Sequence, residues 1–149
     1  MGGFHLMDLP EKLKFCAILT QGGAFKAKVS QKDTYPRYYF VLNRNPEKDE
    51  NLVLLTSTTQ FEHHKFCDGG DDVHIPLSPQ DYQEFTEHCL ICCDRPMPLA
   101  RKDVERKLMQ QNYQVLQPLP SDIVAKILRG IAKSNVVPAK IKEFVLGQE

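Results

Sequence analysis

Two short, unbroken apolar runs dominate the first half of the chain. They are Tyr38-Tyr39-Phe40-Val41-Leu42 and Leu52-Val53-Leu54-Leu55, and the second continues into Thr56-Ser57-Thr58-Thr59. Aromatic and branched residues in runs of this length predict buried strands. The polar stretch from Asn43 to Glu50 has turn chemistry, so the two runs are expected to form an antiparallel pair. Upstream, the apolar stretch from Lys14 to Thr20 reads as another strand ending at a Gly22-Gly23 turn. Ala24 to Val29 alternates and predicts a short edge strand. Downstream, residues 60–71 read as a loop and Val73-His74-Ile75 as a short strand. Ser78 is placed to cap a helical turn, with Pro79 in its first position and Asp81 near its positive end. His88 to Asp94 predicts the next strand, closed by Arg95-Pro96-Met97-Pro98.

The pattern changes in the last third. Lys102 to Gln111 carries helix formers, and Leu116-Gln117-Pro118-Leu119-Pro120 is a non-helical break. Ser121 is then expected to cap an amphipathic helix, with Ile123, Val124, Ile127, Leu128 and Ile131 spaced by three and four. Pro138 opens a final short helix with Ile141, Phe144 and Val145 on one face. The chain thus reads as one domain of the α+β class. A small, mostly antiparallel β-barrel over about residues 14–100 precedes a helical part over about residues 101–149.

Composition adds limits. The 149 residues are 42% hydrophobic and 26% charged, which excludes a disordered tail, a collagen and a coiled coil. No apolar run approaches the ~18 residues of a membrane helix, and the N-terminus lacks signal-peptide features, so a cytoplasmic protein without membrane contact is expected. The formal net charge is zero but uneven. Residues 1–46 carry seven Lys/Arg against three Asp/Glu, residues 47–99 three against eleven, and residues 100–149 nine against five. This argues against a globally basic nucleic-acid binder and leaves room for a local basic groove from the two flanks. The five cysteines, an odd number without a secretion signal, are expected to be reduced. On a strand, Cys89 and Cys93 face one side and Cys92 the other, a geometry suited to buried thiols and not to a tetrahedral metal site. No metal or other cofactor is expected.

No phosphate loop, dinucleotide fingerprint, nucleophile elbow or zinc-protease helix is present. His63 and His64 are acid–base candidates on a loop, although adjacent loop histidines are also ordinary surface residues. His74 alternates with Val73 and Ile75 and should face away from them. More informative are Arg37, just before the first apolar run, and Thr58, just after the second. In an antiparallel pair the start of one strand lies beside the end of the next, so these two can meet at one rim. A guanidinium fork beside a hydroxyl suits a phosphate. The plain alternative is a surface arginine and a strand-end threonine.

The order of segments resembles the MazF/PemK (Kid) family of toxin endoribonucleases. It is carried by Pro36-Arg37-Tyr38-Tyr39-Phe40-Val41-Leu42, Leu54-Leu55-Thr56-Ser57-Thr58, Asp72-Val73-His74-Ile75, His88-Cys89-Leu90-Ile91-Cys92-Cys93 and Leu119-Pro120-Ser121-Asp122-Ile123. The resemblance implies an SH3-like barrel, a homodimer, an antitoxin protein or peptide as partner, and cleavage of single-stranded RNA without metal. It assigns catalytic roles to Arg37 and Thr58. Ser57, Thr59, His63 and His64 are the accompanying substrate-binding candidates. The chain departs from the family in the order Pro36-Arg37 and in the distance of Gly22-Gly23 from that arginine. Two further readings remain: a catalytically inactive barrel binding protein or nucleic acid, and a gyrase-directed toxin on the same fold.

Overall fold

The computed structural model describes residues 10–59 and 74–147. In chain order the elements are α1 (Glu11–Cys16), β1 (Ala24–Ala27), β2 (Arg37–Val41), β3 (Asn51–Thr58), β4 (His74–Leu77), β5 (Cys89–Cys92), β6 (Met97–Ala100), α2 (Arg101–Met109), β7 (Gln114–Leu116), α3 (Ser121–Lys133) and α4 (Ala139–Leu146). The described residues form an α+β fold: a seven-stranded antiparallel sheet with four helices. The strand path runs β4-β5-β3-β2-β1-β7, and β6 pairs with β3 beside it. Among the described residues β4 and β7 do not pair with each other, so these pairings do not close the expected barrel.

The unbroken apolar runs have a simple cause: both faces of the central strands are covered. Phe40, Leu42, Val53 and Leu55 join Ile123, Ile127 and Ile131 of α3 and Ile141 and Val145 of α4 in one cluster. Tyr39, Val41, Leu52 and Leu54 point the other way, into a second cluster with Phe15 of α1, Ile18, Val104 and Leu108 of α2, and Tyr113. Successive side chains alternate between the faces, so each residue of the run finds an apolar neighbour. The loop joining β2 to β3 is organised by Asn43, which is fully buried. Its Oδ1 accepts from Val53 N at 2.6 Å, and its Nδ2 donates to Asp49 Oδ2 at 2.9 Å and Asn51 O at 2.8 Å.

Several expectations are corrected. Lys14 to Thr20 is not a strand: α1 ends at Cys16 and turns follow. Lys14, Phe15 and Ile18 are the buried residues, a helical spacing. β1 is not an edge strand, because β7 pairs along it with Ala24 opposite Leu116. The sheet is therefore not confined to residues before 101. The strand at Cys89 does not end the sheet at Arg95-Pro96. It resumes as β6, where Leu52 faces Leu99 and Leu54 faces Met97. Pro98 is tolerated because β6 pairs with β3 alone among the described residues. Between the Leu54–Met97 and Ser57–Ile91 pairs, Leu55 and Thr56 face the longer stretch from Cys92 to Pro96, so β5 and β6 act as one strand interrupted by a bulge. Pro120, not Ser121, occupies the N-cap of α3, and no side chain caps that helix. Ser78 does organise its turn: Tyr82 N donates to Ser78 O at 3.1 Å, and Asp81 Oδ2 accepts from Ser78 N at 2.8 Å.

Among the described residues no helix is long and apolar enough to cross a membrane.

Candidate functional site

β2 and β3 pair with Tyr39 opposite Thr56 and Phe40 opposite Leu55. Continuing that register by two residues sets Arg37 opposite Thr58, at the end of the ladder. Both residues border a cleft of about 170 Å³, together with Lys26, Tyr35, Pro36, Tyr38, Ser57, Thr59, Thr86, Glu87 and Cys89. Arg37, Ser57, Thr58 and Thr59, the candidates taken from the sequence that fall among the described residues, therefore meet around one cavity. His63 and His64 lie outside the described residues.

Each wall has a local origin. Arg37 is held by its own strand pair, its Nη2 donating to Ser57 O at 3.0 Å. One donor of the guanidinium is thereby spent on orientation. Thr56 reinforces the same ladder, its Oγ1 donating to Tyr38 O at 2.6 Å. Lys26 lies opposite Tyr38 in the β1–β2 register, and its Nζ sits 4.9 Å from the centre of the Tyr38 ring. That contact fixes a cation at the cleft wall while leaving its charge unneutralised. The Tyr38 hydroxyl donates to Glu84 O at 2.8 Å, and Phe85 packs edge-on to the ring at 4.9 Å. Burial pushes the Tyr38 phenol above its ordinary pKa, with smaller effects in the same direction from Cys89, Glu84 and Glu87. Tyr35 stands at the mouth with 57% of its surface exposed.

The cleft combines two cations, Lys26 and Arg37, with the hydroxyls of Ser57, Thr58, Thr59 and Thr86. Glu87 is the carboxylate among its described walls. Such a donor-rich, cationic wall suits an oxyanion or phosphate. The thiol of Cys89 is no ready nucleophile: burial raises its pKa, partly offset by a hydrogen bond with Ser57, and Glu87 raises it further.

Lys26, Tyr35, Thr86, Glu87 and Cys89 were not singled out for this site from the sequence. Lys26 and Cys89 arrive through the β1–β2 and β3–β5 pairings, which no local pattern announces. Tyr35 carried a weak signal, an aromatic in the polar loop just before Pro36-Arg37.

The cysteines differ from expectation. Cys89, Cys92 and Cys93 are all buried, and the strand alternation holds, with Cys89 and Cys93 in the α3-side cluster and Cys92 outside it. Cys16, Cys89 and Cys93 are free, but Cys92 is disulfide-bonded, so the expectation of uniformly reduced thiols fails there. Among the described residues no three His, Cys, Asp or Glu side chains gather to hold a metal ion. His74 faces away from Ile75 as its alternation requires, but its Nε2 is buried without a hydrogen-bond partner among the described residues. His88 is exposed and does not line the cleft.

No protein-family model matches the chain, and no curated protein matches its sequence, so the resemblance to MazF/PemK toxins rests on the order of its motifs alone.

Proposed function

We propose that the protein is a toxin-like endoribonuclease that cleaves single-stranded RNA at the Arg37–Thr58 cleft without a metal ion. The observation that carries this reading is the pairing of a strand-start guanidinium with a strand-end hydroxyl in one cleft, beside a second cation and an exposed aromatic ring. In the reaction, the ribose 2′-oxygen forms a bond to the adjacent phosphorus and the bond to the 5′-oxygen breaks. The 2′ proton leaves to a base, and the departing 5′-oxygen gains a proton. Arg37 and Thr58 stabilise the charge that builds on the phosphoryl oxygens. Ser57 and Thr59 contact the substrate beside them. Tyr35 offers a face on which an unpaired base stacks, the usual way single-stranded RNA is held.

The seven-stranded sheet, with β3 shared between β5 and β6, is an open variant of an SH3-like barrel. The working unit is a homodimer, and an antitoxin protein or peptide is its regulatory partner. A second reading, a module that binds RNA without cutting it, is favoured by one feature: Arg37 already commits a donor to Ser57 O. Incubation with single-stranded RNA in excess EDTA separates the two. Cleavage yields fragments with 2′,3′-cyclic phosphate ends, whereas the binding module leaves the RNA intact.

A further inference from the structure

Arg37 and Thr58 border a second cleft besides the one described above. It measures about 320 Å³, and its walls include Ser30, Lys32, Tyr39, Thr56, Leu90 and Arg95. Most of the strand residues that line only one of the two clefts lie on opposite faces of the sheet. Tyr38, Ser57 and Cys89 of the first share a face with Phe40 and Ile91, while Tyr39, Thr56 and Leu90 of the second alternate to the other face. The clefts meet at the end of the β2–β3 ladder, where Arg37 and Thr58, which alternate onto the face of Tyr39 and Thr56, border both.

The second cleft has the charge of an anion site. Lys32, Arg37 and Arg95 are its cations, and among the described residues no carboxylate pairs with any of them. Asp33 is the carboxylate on its described walls, and one of its oxygens is already engaged: Oδ2 accepts from Val29 N at 3.0 Å, Ser30 N at 3.1 Å and the Tyr39 hydroxyl. These bonds tie down the loop that carries Lys32. Arg95 is delivered by the bulge between β5 and β6, which interrupts pairing at this rim and leaves the side chain exposed. A bulge beside a site commonly re-aims a side chain. The hydroxyl of Ser30 adds a donor to the same wall.

We infer that this second cleft is a separate phosphate subsite for the same RNA strand, with Arg95 and Lys32 gripping a phosphate next to the one held at Arg37 and Thr58. The inference rests on the phosphodiester reading of the first cleft. A strand seated in both clefts passes over the end of the β2–β3 ladder, and its register is fixed by backbone contacts on each side. Arg95 and Lys32 are positioning residues; they are not placed at the reacting atoms.

The test uses the full-length protein and uncleavable 2′-O-methyl oligouridylates with one or with five phosphates. Binding is measured by fluorescence anisotropy over a series of salt concentrations, for the parent and for a Lys32→Gln/Arg95→Gln variant. Each phosphate contact on a single strand contributes about 0.7 to the slope of log affinity against log salt. The variant is expected to bind the one-phosphate probe as the parent does, and to lose about 0.7 to 1.4 of slope on the five-phosphate probe. Equal slopes and affinities for the two proteins on the long probe would overturn the second subsite while leaving the first cleft standing. Loss of the short probe by an Arg37→Ala variant alone marks the first cleft as sound. If the parent binds neither probe, the phosphodiester reading fails and the subsite fails with it. Circular dichroism of the double variant matching the parent excludes misfolding, to which two exposed side chains contribute little.

Discussion

Asn43 and Arg37 stand at opposite ends of the same strand pair, one building it and the other using it. Replacing Asn43 by alanine strips Val53 N of its acceptor in a fully buried place, and an unsatisfied buried group costs about 1–3 kcal/mol. Asn43→Ala should lower unfolding stability by about 2 kcal/mol or more, read as a shifted denaturant midpoint with an unchanged slope. Arg37 belongs to no core cluster, so Arg37→Ala should leave the fold intact while losing RNA cleavage by about 100-fold or more, the usual effect of removing one preorganised oxyanion donor. The Arg37–Thr58 pair was legible in the sequence because antiparallel pairing joins the start of one apolar run to the end of the next. Lys26, Thr86 and Glu87 were not, since their approach depends on pairings and turns between segments far apart in the chain. The disulfide at Cys92 was also hidden, because cysteine spacing alone does not reveal pairing.

Among the elements, those with long or strongly periodic signals were readable: β2, β3 and β5 from their apolar runs, α3 and α4 from their spacing. β7 and β6 were missed for physical reasons. β7 has three residues, and β6 carries Pro98, so neither offers the alternation that marks a strand. α1 was misread because Phe15 and Ile18 are apolar in either reading, and only burial separates helix from strand there. The turn after α1 also has a demanding geometry. A Cβ on Gly23 would lie 2.1 Å from the Ile18 carbonyl oxygen, which is backbone and cannot swing aside. Gly23→Ala should therefore destabilise the protein by more than about 1 kcal/mol, a loss of melting temperature visible by calorimetry. A Gly23→Ala variant melting with the parent would show that this turn is not as tight as described.

At the scale of the whole molecule, burial sets a direction for pH dependence. The Cys93 thiol is pushed up to about 12 by burial, with Asp94 adding to the effect. Burial also raises the phenols of Tyr39, Tyr82 and Tyr113, helped at Tyr39 by its bond to Asp33. Each group holds its proton in the fold beyond the pH at which the unfolded chain releases it. Stability from these groups is thus complete below about pH 9 and lost as pH rises toward 12, as the linkage sign requires. Denaturant midpoints should be flat on their account near neutrality and fall on the alkaline side. Assembly is the other molecular-scale question. Ile123, Ile127 and Ile131 of α3 are buried in the chain's own core, and Val124 and Leu128 pack against it, so this helix has little apolar face left for a partner. The proposed dimer should nevertheless give a mass near twice 17.1 kDa by light scattering, and a monomer across micromolar concentrations would remove it. The most direct test of the account remains the cleft itself. Single-stranded RNA is incubated in EDTA with the parent and with Arg37→Ala, and the fragments are resolved and their ends identified. Cyclic-phosphate fragments from the parent, reduced about 100-fold or more in a folded Arg37→Ala variant, are the predicted result. Intact RNA with the parent, or equal cleavage by both proteins, would contradict it.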